Sequence, residues 1–296
     1  MTTAQKVIKY LALSFAIFLI VTIISGILGA LYALSGVLGL QKEDKTIKDE
    51  MSMINFENSE VATLDIDVAF TNLIIKKGDF LIAETNNKDI NCKQNNQNLQ
   101  IKEKQHSLFS GNDKGDLVVY IPENLEFEKV KINAGAGKIQ IENINTENLY
   151  LELGAGETTI EKLNVTDDCK IESGAGKVSI LSGNINEFNL DMGVGKFEVT
   201  SAITGNSKIN AGIGNLELNI QGNKENYTIK ADKGIGSIKI DGKEVADDVT
   251  YGDGENTIKI DGGIGAIKID FMEENHNEDS IWKQYRSYRK ICKHVS

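Results

Sequence analysis

Apolar and polar residues alternate in short segments along most of this chain, from about residue 61 to 271. Val130-Lys131-Ile132-Asn133-Ala134, Leu149-Tyr150-Leu151-Glu152-Leu153, Cys169-Lys170-Ile171-Glu172-Ser173 and Phe188-Asn189-Leu190-Asp191-Met192 each repeat with a period of two. That period predicts β-strands with one buried face. A second alternation follows each by a few residues, as in Ile139-Gln140-Ile141, Val178-Ser179-Ile180, Phe197-Glu198-Val199, Leu216-Glu217-Leu218, Ile238-Lys239-Ile240 and Ile267-Lys268-Ile269. The apolar positions favour β-branched and aromatic residues, which suit a pleated, half-buried surface.

Where the two alternations meet, the chain places a glycine, one residue, and a second glycine. The pairs are Gly135 and Gly137, Gly154 and Gly156, Gly174 and Gly176, Gly193 and Gly195, Gly212 and Gly214, Gly234 and Gly236, and Gly263 and Gly265. Successive pairs are 19, 20, 19, 19, 22 and 29 residues apart. A period near 20 marks a solenoid. Each repeat reads as strand, glycine bend, strand and polar corner, with corners at 143–148 and 166–168. One coil cannot bury its own apolar face, but coils stacked about 4.8 Å apart can. Seven of them would form a rod of about 34 Å. The widest interval reads as a coil carrying an Asp- and Gly-rich insertion near 242–256.

The residue between the glycines changes from Ala136, Ala155 and Ala175 to Val194, then to Ile213, Ile235 and Ile264. If it points inward, the core widens or repacks along the rod. Residues 61–121 alternate too, without glycine pairs, and are predicted to be the first coils with looser turns. The only proline, Pro122, should end a strand rather than interrupt one.

Ahead of the repeats, residues 10–40 contain no charged side chain. A spanning helix needs about 20 apolar residues, and a signal-peptide core has roughly 7–15. The run is therefore expected to be an uncleaved single-pass anchor. Lys6 and Lys9 precede it and Lys42, Lys45 and Lys48 follow, so counting basic residues does not orient it. A short basic N-terminus before a long apolar run resembles a signal-anchor, which leaves the remainder outside. The expected organisation is a tail at 1–9, the anchor at 10–40, a linker or N-terminal cap at 41–60, the solenoid at 61–271 and a basic tail or capping helix at 272–296.

Charge narrows the function classes. The formal net charge is −11. Five basic residues and no acid lie in 280–296, and two lysines lie in 1–40. The segment 41–279 thus holds 25 lysines against all 43 acids. Such a domain repels nucleic acid. Cys92, Cys169 and Cys292 are far apart and lack the spacing of a zinc site or a disulfide framework.

The string Leu117-Val118-Val119-Tyr120-Ile121-Pro122, then Val130 to Gly137, then repeated glycine pairs behind an apolar N-terminal run, resembles the "putative adhesin" domain of unknown function. This is a β-strand-repeat family of mainly Gram-positive bacterial envelope proteins that includes LiaG-like proteins. The resemblance covers about 61–270. It implies an all-β, right-handed parallel β-helix or β-solenoid with coils of about 19–22 residues, exposed at the cell surface behind one transmembrane helix. It carries no catalytic residues to transfer.

Direct searches for chemistry point the same way. Gly137-Lys138, Gly176-Lys177 and Gly195-Lys196 lack the spacing and the Ser/Thr of a phosphate loop. Strand-forming residues follow each glycine pair where a dinucleotide fingerprint opens a helix. The calcium-binding nonapeptide repeat has the wrong period. The one metal candidate is a ladder of Glu152, Glu172 and Asp191, which would stack on consecutive rungs and could bridge divalent cations. Lys131, Lys170 and Lys208 on the same face offer a simpler neutralisation. Neither arginine and none of the three histidines lies inside a repeat, and no pair of carboxylates stands out for acid–base work.

The tail holds the sole Trp282, both arginines, and an apolar stripe of Ile281, Tyr285, Tyr288 and Cys292. It reads as a basic amphipathic helix or as a cap. The expected function is a non-enzymatic, cofactor-free, membrane-anchored extracellular scaffold or adhesin meeting cell-wall polymer or an envelope protein. The alternatives are an envelope-stress accessory protein, a carbohydrate-active β-helix enzyme, and a cytoplasmic membrane-tethered scaffold that forms polymers.

Overall fold

A computed structural model describes residues 51–56, 61–104 and 115–272. Most of these residues lie in β-strands. Among them no helix is long and apolar enough to cross a membrane. The apolar run 10–40 and the segment 273–296 lie outside the described residues.

The strands stack in parallel, in-register rungs. Apolar columns run inward along the stack. One contains Ile101, Ile66 and Ile132, then Leu151, Ile171, Leu190, Ile209, Ile260 and Ala231. A second holds Val119, Ile75 and Ile141, then Ile160, Ile180, Val199, Leu218, Ile269 and Ile240. Nearly all of these side chains are fully buried. Burial of this kind is worth about 1.5–3 kcal/mol per large aliphatic side chain, which explains why the period-two pattern is so regular.

The middle coils have three strand segments, where the alternation predicted two. Leu163 to Val165, Gly183–Asn186 and Ala202 to Thr204 pair in parallel as an additional side. The corner expected at 143–148 belongs to this side. It lies within the continuous strand Phe127–Val165, with Ile144 and Thr146 buried. Asparagines line the side outwardly, with Asn164 Nδ2 donating to Asn145 Oδ1 at 2.8 Å and Asn184 N–H donating to Asn164 Oδ1 at 3.3 Å. The corner at 166–168 is a turn as expected, where Thr166 and Asp167 donate backbone N–H groups to Thr146 and Glu147.

Stacking does not follow chain order at the ends. The described residues form nine rungs. The outermost, Asn98–Glu103 with Asp116–Pro122, is followed by Thr63–Val68 with Asn72–Gly78, and then by the coil beginning at Phe127. The segment 63–78 is therefore the second rung, although it comes first in sequence. The far end mirrors this. Asn256–Asp261 with Ile264–Met272 lies between the Asn206–Gln221 coil and the outermost Tyr227–Ile240 coil. The wide interval before Gly263 is therefore no simple insertion into a sequential stack.

Both outermost rungs are covered by antiparallel strands. Ile90–Asn95 pairs with Asn98–Glu103, and Ile82–Thr85 pairs with Asp116–Pro122. At the other end, Val249–Tyr251 and Lys243–Glu244 do the same for the ninth rung. An open parallel edge would template further strand addition. Here the covering strands come from within the chain, at 82–95 and 243–251.

Candidate interaction faces and the glycine corner

The glycine corner is the most constrained feature of the fold. Gly156, Gly176, Gly195, Gly214 and Gly265 align in register and share φ values of +134° to +146°. A Cβ added at Gly195 would lie 1.9 Å from the Gly176 carbonyl oxygen. The corners stack too closely for any side chain at this position, so a sequence of glycine pairs is the direct trace of rung spacing. The partner glycines make equally close approaches, with Gly154 against Gly135 and Gly193 against Gly174.

The residue between the glycines points outward. Ala155, Ala175, Val194, Ile213, Ile264 and Ile235 form one in-register column along the corner. Val194 is 54% exposed, Ile235 47% and Ile213 37%. The progression from alanine to isoleucine therefore builds an external apolar ridge and does not widen the core. The space under the corner is a shallow crease lined by Leu153, Val178, Met192 and glycine backbone.

The 63–78 coil, which has no glycine pair, uses a side chain at its corner instead. In the second rung the bend is Ala69-Phe70-Thr71. Glu103 Oε2 accepts their three backbone N–H groups at 2.6, 3.0 and 3.4 Å, while its Oε1 accepts from Asn87 Nδ2 at 3.2 Å. Sequence reading missed Glu103, because it sits 32–34 residues from the bend and only the stacking brings them together. The asparagine column was detectable in principle, since Asn145, Asn164 and Asn184 repeat with the coil period.

On the face before the corner, Glu152, Glu172 and Asp191 stack in register as expected, followed by Asn210, Asp261 and Asp232. A parallel column beside it holds Lys170, Asn189, Lys208, Lys259 and Lys230. The columns neutralise each other. Lys170 Nζ lies 2.6 Å from Glu172 and Lys259 Nζ lies 3.4 Å from Asp261, while Asn210 donates to Asp191. The Glu172 carboxylate raises the Lys170 pKa above the ordinary lysine value. Tyr150 lies between Lys131 and Lys170, whose ammonium groups sit 5.5 and 5.4 Å from its ring centroid. Among the described residues, no three His, Cys, Asp or Glu side chains converge in a way that could hold a metal ion.

Cys169 is fully buried in the core, and burial pushes its thiol pKa upward. Cys92 is half-buried and raised to about 11.

A closed stack of glycine-cornered rungs with long outward columns defines a β-solenoid. The chain belongs to the Toastrack DUF4097 family, whose match spans residues 61–287. Similar solved structures include a "putative cell adhesion protein" from Clostridium sporogenes, at 18% identity, covering 76% of this chain and 100% of that one with a TM-score of 0.35. Another is a "putative adhesin" from Parabacteroides distasonis, at 14% identity, covering 76% and 98% with a TM-score of 0.33. A "putative lipid binding protein" from the same species has 12% identity, covers 77% and 98%, and has a TM-score of 0.37. No curated protein matches the chain.

Proposed function

We propose that this protein is a non-enzymatic interaction scaffold of the bacterial envelope, anchored by residues 10–40 with the solenoid outside the cell and coiled right-handedly. The observation that carries this reading is the in-register outward columns. The Lys and Glu/Asp ladders, the asparagine side and the apolar corner each repeat at rung spacing, which suits a partner that is itself extended and repetitive, such as a wall polymer. The crease under the corner is lined by glycine backbone and apolar side chains together with Thr158, Ser173, Lys177 and Lys196, without a carboxylate, histidine or cysteine. The 31 uncharged residues at 10–40 exceed the length a membrane span needs.

An impermeant protease applied to intact protoplasts tests the topology. Loss of the 41–296 domain with a cytoplasmic control spared is expected. Protection that vanishes on lysis would replace the adhesin reading with an internal tethered scaffold. Co-sedimentation of the full chain with purified wall polymer then tests the partner. Saturable retention is expected, and its absence for every envelope fraction would remove the binding role.

A further inference from the structure

We infer that the glycine corner is a self-association surface, on which a second copy of this chain packs side by side and parallel. Three observations carry it. The first is the ridge of Val194, Ile213, Ile264 and Ile235, which lies in register on four consecutive rungs and projects from a corner whose other positions are glycine. At about 4.8 Å per rung, it runs for roughly 14 Å. Val194, Ile213 and Ile235 are exposed and Ile264 between them is half-buried, and such an aligned row differs from the scattered apolar residues normal on a surface.

The second is the charge flanking the ridge. Two outward positions border the corner residue on each rung. On the fourth rung, ahead of the ridge, both are acidic, with Glu152 and Glu157 around Ala155. On the fifth they are Glu172 and Lys177 around Ala175, and on the sixth they are Asp191 and Lys196 around Val194, so acid stands on one side and base on the other. Lys196 also reaches Glu198 and Glu217 of its own chain at 3.1 and 3.3 Å. The seventh rung has Asn210 and Asn215 around Ile213. On the eighth and ninth, Asp261 and Asp232 face the neutral Ala266 and Ser237 across Ile264 and Ile235.

The third is symmetry. A two-fold axis along the rod sets each rung against its own equivalent, so Val194 meets Val194 and Asp191 meets the partner's Lys196. A two-fold axis across the rod keeps like sides together and brings the acidic columns face to face. Closed two-fold contacts are the commonest in homo-oligomers, and like charges opposed across an interface are costly. Over the four rungs of the ridge the charge pattern selects the parallel arrangement. A ridge of this length is far smaller than the roughly 800 Å² per partner of a stable dimer, so the contact is weak in free solution and forms where copies are concentrated.

The test is oxidative crosslinking of the full chain in cells, with Cys292→Ser as background. Val194→Cys and Ile213→Cys, introduced singly, are expected to give disulfide-linked dimers several-fold above the background and above Asn184→Cys on the asparagine side. A disulfide needs Cα atoms within about 7 Å, which a parallel contact supplies at every position of the ridge and an antiparallel one only close to its two-fold axis. Adding Ile213→Asp to Val194→Cys should abolish the dimer while leaving the melting temperature unchanged, because position 213 is outside the core. Membrane and soluble fractions are read separately, so a failed anchor appears as soluble protein. Failed pairing appears as missing dimer in whichever fraction holds the chain. Crosslinking no greater at 194 than at 184, or crosslinking only to another protein, overturns the inference.

Discussion

Replacing Gly195 by alanine tests the argument that the glycine corner sets the rung spacing. Two separable effects are involved. At φ +137° an L-residue is strained, at a cost of about 1–3 kcal/mol. The new Cβ would also lie 1.9 Å from the Gly176 oxygen, 2.9 Å from its carbonyl carbon and 3.1 Å from its nitrogen. Those are backbone atoms of the next rung and cannot rotate away, so overpacking adds about 1–3 kcal/mol. The combined loss is roughly 2–6 kcal/mol, a large part of the 5–15 kcal/mol typical of a domain. It corresponds to a fall in melting temperature of roughly 4–24 °C. Gly242→Ala isolates the first effect, because Gly242 has φ +73° and nothing within 4 Å of the added Cβ. Val194→Ala serves as a neutral neighbour. Far-UV circular dichroism of the full chain in mild detergent, followed through heat and denaturant, measures all three. If Gly195→Ala costs no more than Gly242→Ala, close rung contact is not what requires the glycine.

Glu103→Ala should cost about 1–3 kcal/mol, because it strands the backbone donors of 69–71, and Glu103→Gln should recover part of that because it keeps an acceptor. Equal losses for the two, measured by denaturant midpoint, would show that the carboxylate charge rather than the acceptor matters. Cys169 should resist a maleimide reagent until the chain unfolds, and Cys92 should react slowly at pH 8; rapid folded-state labelling of Cys169 would refute its burial. Folding raises both thiol pKa values, so the folded chain holds those protons longer. Their contribution to stability is complete below about pH 9 and declines as the pH rises toward 11, and a stability that rises over that interval would contradict the assignment. Millimolar calcium or magnesium should shift the melting temperature by less than about 1 °C, since Glu172 and Asp191 already have partners; a rise of several degrees would restore the Glu152, Glu172 and Asp191 ladder as a cation site.

The sequence alone determined the class of fold. Period-two alternation requires one face to be buried, and glycine pairs at a 19–22-residue spacing require rungs whose corners touch. Both are local demands on individual residues, so they are written in consecutive positions. The in-register stacking of Glu152, Glu172 and Asp191 followed from the same period. The tertiary structure decided everything that depends on which coil neighbours which. Rung order at the two ends is set by burial of the 63–78 and 256–272 coils between neighbours, and nothing in their own alternation distinguishes an inner coil from an outer one. Glu103 reaches the bend at 69–71 only because the 98–122 coil stacks on the 63–78 coil. The third side was hidden because its segments are three or four residues long, too short to show a period beside a polar turn. The direction of the residue between the glycines depends on a backbone conformation that only glycine adopts, and ordinary strand alternation does not carry through it. That conformation makes Val194, Ile213, Ile264 and Ile235 an outward ridge, a direction the sequence left open.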